Sequence, residues 1–542
     1  MNKTNLVILF FCVLVYSCST YDQKQGMTVF RYNEAANITT LDPAFAKDQT
    51  IIWATNQLYN GLIQLNDQMV VMPCIAKSWN ISSSGLDYVF HLRNDVCFHD
   101  CPAFIDGKGR HVVAKDFVFS FQRIIDPKVA SPGAWLFNNV NRSTETSVFE
   151  APNDSTFIIH LKQPFPPFLR LLTMQYCSVL PHEAVTFYGS EFRRNPVGTG
   201  PFRFKMWQEG VKLVLLKNQS YFETENGKRL PFLDAVAITF VPDKQSAFLE
   251  FIKGNFDLMS GIDPTYKDEL LTKDGKLQPK YFSKINLITQ PYLNTEYLGF
   301  MVDPTNLNIQ SVIPRKEIRK AINLAFDRKK MIRYLRNNIG IPGYQGITPK
   351  GLPSFDSTSV FYEYDPQKAR QLLAMAGYPE GVGLPAITLT STSDYLDICK
   401  YIQHQVAAIG IDLKIEVSPP AAVKEMKSEA KLPFFRASWI ADYPDAENYL
   451  SMFYSKNFCP KGPNYTHFSN PKFDSLYEKS MSTVIDSIRF SYYRQMEKIM
   501  MEEAPVVILY YDQVLRFVPK NIHGLGINPM NLLTLKRVNK LP

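Results

Sequence analysis

The sequence predicts an α/β protein of more than one lobe, and three observations carry that reading. The chain has 542 residues, far more than one hydrophobic core organises. Its apolar fraction (45%) and charged fraction (20%) are those of a folded globular protein. Between residues 386 and 418 the pattern runs strand, helix, strand, which is a βαβ unit and implies a parallel pair with a right-handed crossover.

In chain order, the first residues read as a targeting segment. LVILFFCVLV, residues 6–15, is an apolar run too short to span a bilayer and suits the h-region of a secretory signal over 1–17. It ends in VYSC, which resembles a bacterial lipobox and implies cleavage before Cys18 and lipidation of its thiol, with 18–26 as a polar tether. A protein so held is anchored in the cell envelope without spanning it. Export makes disulfides possible. Cys97 and Cys101, in CFHDC, read as a local disulfide or free thiols, because no second half of a metal site exists.

A strand is expected at 28–32, a helix at 51–62, strands within 73–92, a helix at 115–125 with Phe117, Phe121, Ile124 and Ile125 on one face, and two strands over 198–218 around Glu209-Gly210. In the second half, 314–335 reads as one amphipathic helix. DPQKARQLLAMAG, 365–377, carries its own punctuation: Asp365 at the N-cap, Pro366 at the first helical position, Gly377 past the end. The βαβ unit follows with strands at 386–390 and 411–418 and a helix at 395–408; then come a helix at 423–430 and an extended segment at 433–440. The stretch FFRASWIADYPDAENYL (434–450) therefore sits where a strand leaves an α/β sheet, and ligands of open parallel sheets bind beyond strand carboxyl ends.

Several function classes are disfavoured. The net charge of +8 is scattered among nearly as many acids, with no basic stripe for nucleic acid. HEAVT at His182 lacks the second histidine of a zinc helix, and no nucleophile elbow or phosphate loop occurs. No cofactor or metal and no catalytic activity are expected; a hydrolase pairing Asp442 with Glu447 is the alternative from the enzyme class.

An ordered series of motifs carries a resemblance: LDPAFAKDQ…NQLYNGL, PCIAKSWNIS…GLDYVFHLRNDVCFHD, AKDFVFSFQRIIDP, NPVGTGPFRF, EYLGFMVD, IRKAINLAFDRKKMI, YDPQKARQLLAMAGYPEG, SWIADYPDAENYL and NYTHFSNPKFDSLY. Together they resemble the oligopeptide/dipeptide-binding class of bacterial extracellular solute-binding proteins, family 5. The resemblance implies a two-lobed periplasmic binding protein-like fold of type II with an extra domain on lobe I. It places lobe I at 27–58, 186–290 and 508–538, the extra domain at 59–185 and lobe II at 291–507, with crossings at 292–299 and 506–511. It implies a monomeric, lipid-anchored periplasmic receptor that encloses a peptide between its lobes and delivers it to the permease of an ABC importer. Other solutes bound in the same fold are the alternative: a nickel complex, heme, glutathione or an oligosaccharide.

The resemblance also assigns roles. Asp442, in Trp439-Ile440-Ala441-Asp442-Tyr443, matches the position that binds the ligand's α-amine, a charge-assisted contact. Arg436 matches a position that meets the carboxylate of short peptides, for which a guanidinium is suited. Six extended residues cover about 20 Å, which after side-chain reach leaves room for about two to three ligand residues. Lys47, Asp48 and Gln49 occupy the facing loop of lobe I, where the peptide's other edge would pair, and Trp439 and Tyr443 would wall side-chain pockets. The residues alone leave other readings open: Asp442 as a turn cap before Pro444, Arg436 bridged to Asp445 or Glu447, and Trp439 and Tyr443 as core.

Overall fold

The computed structural model describes residues 26–142, 148–307 and 310–541; the signal, Cys18 and most of the tether lie outside them. A four-stranded sheet orders Val29–Asn33, Ala235–Thr239, Lys212–Lys217 and Phe202–Gln208, the first pair parallel and the others antiparallel. The turn between its last two strands places Gly210 at φ 70°, a conformation glycine adopts without strain. A second four-stranded sheet, Ala76–Ile81, Asp87–Leu92, Thr156–His160 and Phe149–Asn153, is wholly antiparallel. Both contribute to one core with the helices Gln49–Leu58 and Ala114–Ile125. The latter buries Phe117, Phe121 and Ile124 along one stripe, and Phe121 meets Phe117 edge-on at 5.9 Å.

The largest sheet holds seven strands, ordered Met259–Ser260, Val506–Pro519, Ile285–Phe300, Phe434–Ile440, Ile387–Ser391 and Leu413–Val417, with Ile341–Pro342 added against Val506–Pro519. Ile387–Ser391 and Leu413–Val417 are parallel, joined by the helix Leu396–Ala407, as the βαβ pattern predicts. The two long strands, of 16 and 14 residues, link separate cores. Ile285, Leu515 and Phe517 pack in a small cluster with Phe248 and Tyr266. Further along the same strands, 293, 297, 298, 300 and 506–511 enter a second large core. Their pairing slips in register between Pro291 and Thr295 and again between Glu296 and Tyr297. Two bodies with their own cores, joined by extended strands, make the molecule two-lobed.

Two local expectations are corrected, and a third, left open between a disulfide and free thiols, is decided for free thiols. The helix expected at 51–62 stops at Leu58, because Gly198 and Gly200 bring their backbone against its end and Gly200 N–H donates to Leu58 O at 2.9 Å. A Cβ at Gly198 would lie 2.2 Å from that oxygen. The helix expected at 314–335 is two, Lys316–Leu324 and Arg328–Arg336. Asp327 caps the second, accepting from Lys330 N–H at 3.0 Å, and the break turns the Arg328 guanidinium inward onto the Ile508 and Asn323 carbonyls. Cys97 and Cys101 are free thiols, Cys97 Sγ lying 3.5 Å from His111 Nδ1. His99 between them is a core residue bonded to the Gly200 carbonyl, and burial lowers its pKa to about 4. No helix among the described residues is long and apolar enough to cross a membrane.

Candidate functional site

The strand Phe434–Ile440 runs antiparallel to Ile285–Phe300 on one side and parallel to Ile387–Ser391 on the other. It ends at Ile440, and the next residues are pinned at once. Ala441 N–H donates to Leu293 O at 2.9 Å, and the buried Tyr449 hydroxyl donates to the same oxygen at 2.7 Å. This fixes Asp442 beyond the strand's carboxyl end. Asn448 completes the mount: its Oδ1 accepts from Trp439 Nε1 (2.8 Å) and Asp442 N–H (3.2 Å), while its Nδ2 donates to Asp442 Oδ2 at 3.4 Å.

The Asp442 carboxylate is open to solvent and forms no ion pair among the described residues. Protein nevertheless surrounds it on several sides. That desolvation raises its pKa above the ordinary aspartate value, and the Asn448 amide only partly offsets the rise. Tyr176 feels it across the gap: burial, then Asp442, then Asp48 push the phenol up to about 12.

Asp442 lines a cavity of about 330 Å³, within the roughly 300–1,000 Å³ of small-ligand sites. Both bodies build it. Tyr292, Ile440, Ala441, Asp442 and Pro444 come from the second; Lys47, Gln49, Trp53, Trp135, Tyr176 and the 530–532 segment come from the first. Among the described residues, only two that line it are charged, Lys47 and Asp442. Trp53 is held by its indole N–H on Asn531 O at 2.8 Å.

The expected site residues divide. Asp442, Lys47 and Gln49 line the cavity; Asp48 stands beside it, solvent-exposed before the helix Gln49–Leu58. Trp439 lies behind the wall, tied to Asn448 and packed on the second core. Tyr443 is buried in the first core, 6.4 Å from Trp135 between ring centres, with its hydroxyl donating to Glu447. Arg436 does not line the cavity. Its guanidinium pairs with Glu296 and lies over the Tyr395 ring, 3.0 Å from the ring centre.

The remaining acids of the stretch are inward supports. Asp445 accepts from Arg489 Nη1 (2.7 Å) and the Tyr493 hydroxyl (2.9 Å), and receives Arg170 of the first body at 3.4 Å. Glu447 is buried, holds the hydroxyls of Tyr443 and Tyr477, and its pKa is raised by burial. Enclosed in that way and absent from the cavity wall, it is badly placed as the partner of Asp442 in hydrolysis. Trp135, Tyr176, Tyr292 and Met530 were not foreseen, because they come from distant segments and carry no local motif; Asn448 lies within the quoted stretch, but its sequence does not reveal that its amide mounts Asp442.

The model of the bacterial extracellular solute-binding proteins, family 5 Middle, matches residues 70–458. The chain belongs to this family. Among relatives, the glutathione-binding protein GsiB of Salmonella choleraesuis (strain SC-B67) is 26% identical over 91% of each chain. The dipeptide-binding protein of Escherichia coli (strain K12) is 25% identical over 87% of each. The periplasmic binding protein DppA of Helicobacter pylori, solved in complex with the peptide STSA, superposes with a TM-score of 0.75 at 26% identity, covering 95% of this chain and 99% of that one. The two-lobed type II fold of the family 5 proteins is therefore the fold of this chain, and the family is one of solute-binding proteins.

Proposed function

We propose that this chain is the receptor of a peptide ABC importer, which closes two lobes on a peptide and holds its α-ammonium at Asp442. The observation that carries the reading is a solvent-facing carboxylate, without a cationic partner among the described residues, in the wall of a cavity shared by both bodies. A ligand ammonium supplies the missing charge, and closure excludes the water that would screen it. Relatives named for glutathione and dipeptides, and one solved with a tetrapeptide, support a ligand of this class.

In this reading the protein performs no chemistry and uses no cofactor. Its lobe limits are those implied by the family resemblance: 27–58, 186–290 and 508–538 with the extra domain 59–185, against 291–507. VYSC supports lipidation at Cys18 and attachment to a membrane facing the periplasm. Isothermal titration with a mixed peptide library, beside native mass spectrometry of the purified protein, tests the reading. Peptides are expected to bind and Asp442→Ala to weaken them at least thirtyfold. Equal binding by the variant removes the ammonium assignment, and a non-peptide solute in the spectrum removes the peptide.

A further inference from the structure

Asp442 accounts for a peptide's positive end, and its negative end still needs a partner. A peptide carboxylate entering a largely apolar site that closure shuts off from water needs a cation, or its desolvation opposes binding. Arg436 is withdrawn from that task. It is absent from the cavity wall, its charge is cancelled by Glu296, and its other face is covered by Tyr395. Arg336 is likewise engaged with Asp512 at 2.6 Å, and Arg170 with Asp445 at 3.4 Å. The one cation in the wall is Lys47, exposed and in no ion pair among the described residues.

The backbone carrying Lys47 is firmly mounted. Asp42 accepts Ala44 N–H at 3.0 Å and binds the Arg123 guanidinium with both oxygens, at 3.0 and 2.5 Å. Ser131 donates to Ala44 O at 2.5 Å, and Lys47 N–H closes on Phe45 O at 2.8 Å. A long, exposed ammonium-bearing side chain thus starts from a fixed base on the first body, while Asp442 starts from a fixed base on the second.

Resting on the peptide reading, we infer that Lys47, and not Arg436, receives the ligand's carboxylate, so that a zwitterionic peptide bridges the two lobes by its two ends. Each lobe holds one sign of charge, and neither satisfies both ends alone. Closure is then coupled to the presence of both termini, and Lys47 is a specificity-determining residue for ligands with a free carboxylate.

The test is a double-mutant cycle by titration calorimetry, using alanine peptides of two to five residues as free acids and as C-terminal amides. In the wild type, amidation is expected to weaken binding at least tenfold for the preferred length. In Lys47→Ala, amidation is expected to cost less than threefold, with thermal stability unchanged because the side chain is exposed. An amidation cost as large in Lys47→Ala as in the wild type, or no cost in the wild type, overturns the inference while the peptide reading stands. Failure of every alanine peptide, acid or amide, to bind the wild type while other solutes do overturns the peptide reading itself.

Discussion

Arg436 and Glu296, 140 residues apart in sequence, are joined as an ion pair between neighbouring strands of the central sheet. Glu296 also accepts Asn294 Nδ2 at 3.0 Å, and Arg336 with Asp512 lies in the same cluster. Two acids thus balance two guanidiniums where the long strands slip register. Burial raises the Glu296 pKa and Arg436 pulls it back, so each partner is tolerated because of the other. Arg436→Met and Glu296→Met singly should each lower stability by about 3 kcal/mol, since each leaves a buried charge alone. The double variant should lose clearly less than the sum, by chemical denaturation. Peptide affinity of folded Arg436→Met should change by less than about threefold, because the side chain stands outside the cavity; a large loss there would restore Arg436 as a ligand contact.

Asp442 predicts an acid limb in binding. Its carboxyl holds a proton at higher pH than an ordinary aspartate, and a ligand ammonium binds only the deprotonated form. Affinity should be flat near neutrality and fall on acidification before the usual aspartate range of about 4 is reached, with proton release on binding at low pH. Asp442→Asn should bind weakly and lose that limb. Titrations in buffers of different ionisation enthalpy measure the proton release directly, and a variant that keeps the acid limb would transfer it to another group.

The difference between what was legible and what was not is one of range. Asp365, Pro366 and Gly377 announce a helix because capping chemistry is local, and the structure places that helix at Pro366–Met375 with Asp365 accepting Lys368 N–H. The break at Asp327 was hidden because Ile322, Ala325, Phe326 and Ile332 keep the helical period across it. Only the inward turn of Arg328, met by the Ile508 carbonyl on a strand 180 residues away, reveals why it is there. Asp442 was readable from its place after a strand and from the family motif. The pairing of Arg436 was not, since Glu296 lies on another strand and its spacing carries no signal. The cavity's aromatic walls, Trp135, Tyr176 and Tyr292, are assembled by the fold from three separate segments.

Glu497 predicts a loss of stability as pH rises from about 4.5 to neutrality. It is buried on the helix Asp486–Glu503, accepts Thr348 N–H at 2.7 Å, and desolvation raises its pKa from 4.5 to about 7. A raised folded-state pKa gives stability that is complete below the unfolded value and fades as pH rises through the folded one. The span from 4.5 to about 7 is worth about 3 kcal/mol. Glu497→Gln keeps the acceptor and removes the charge. It should raise the melting temperature by a few degrees at about pH 8 and leave it unchanged at about pH 4.5. A variant equally stabilised at both values would show that the proton is not the cause.

The two arginines on Asp445 should separate folding from closure. Arg489 is fully buried beside it and also bonds the Tyr493 hydroxyl at 2.9 Å, whereas Arg170 reaches it from the first body at 3.4 Å and keeps some solvent contact. Arg489→Ala leaves the buried Asp445 carboxylate with only the longer Arg170 contact and the Tyr493 hydroxyl, and should cost about 3 kcal/mol of stability. Arg170→Ala leaves Asp445 paired with Arg489 and removes only the strap between the bodies. Its cost should fall on the closed state: melting temperature almost unchanged without ligand, peptide affinity down by about threefold to tenfold, and the loss carried by faster release. Stopped-flow dissociation beside small-angle scattering would check this. If Arg170→Ala lowers stability as much as Arg489→Ala and leaves release untouched, the contact belongs to the fold and not to closure.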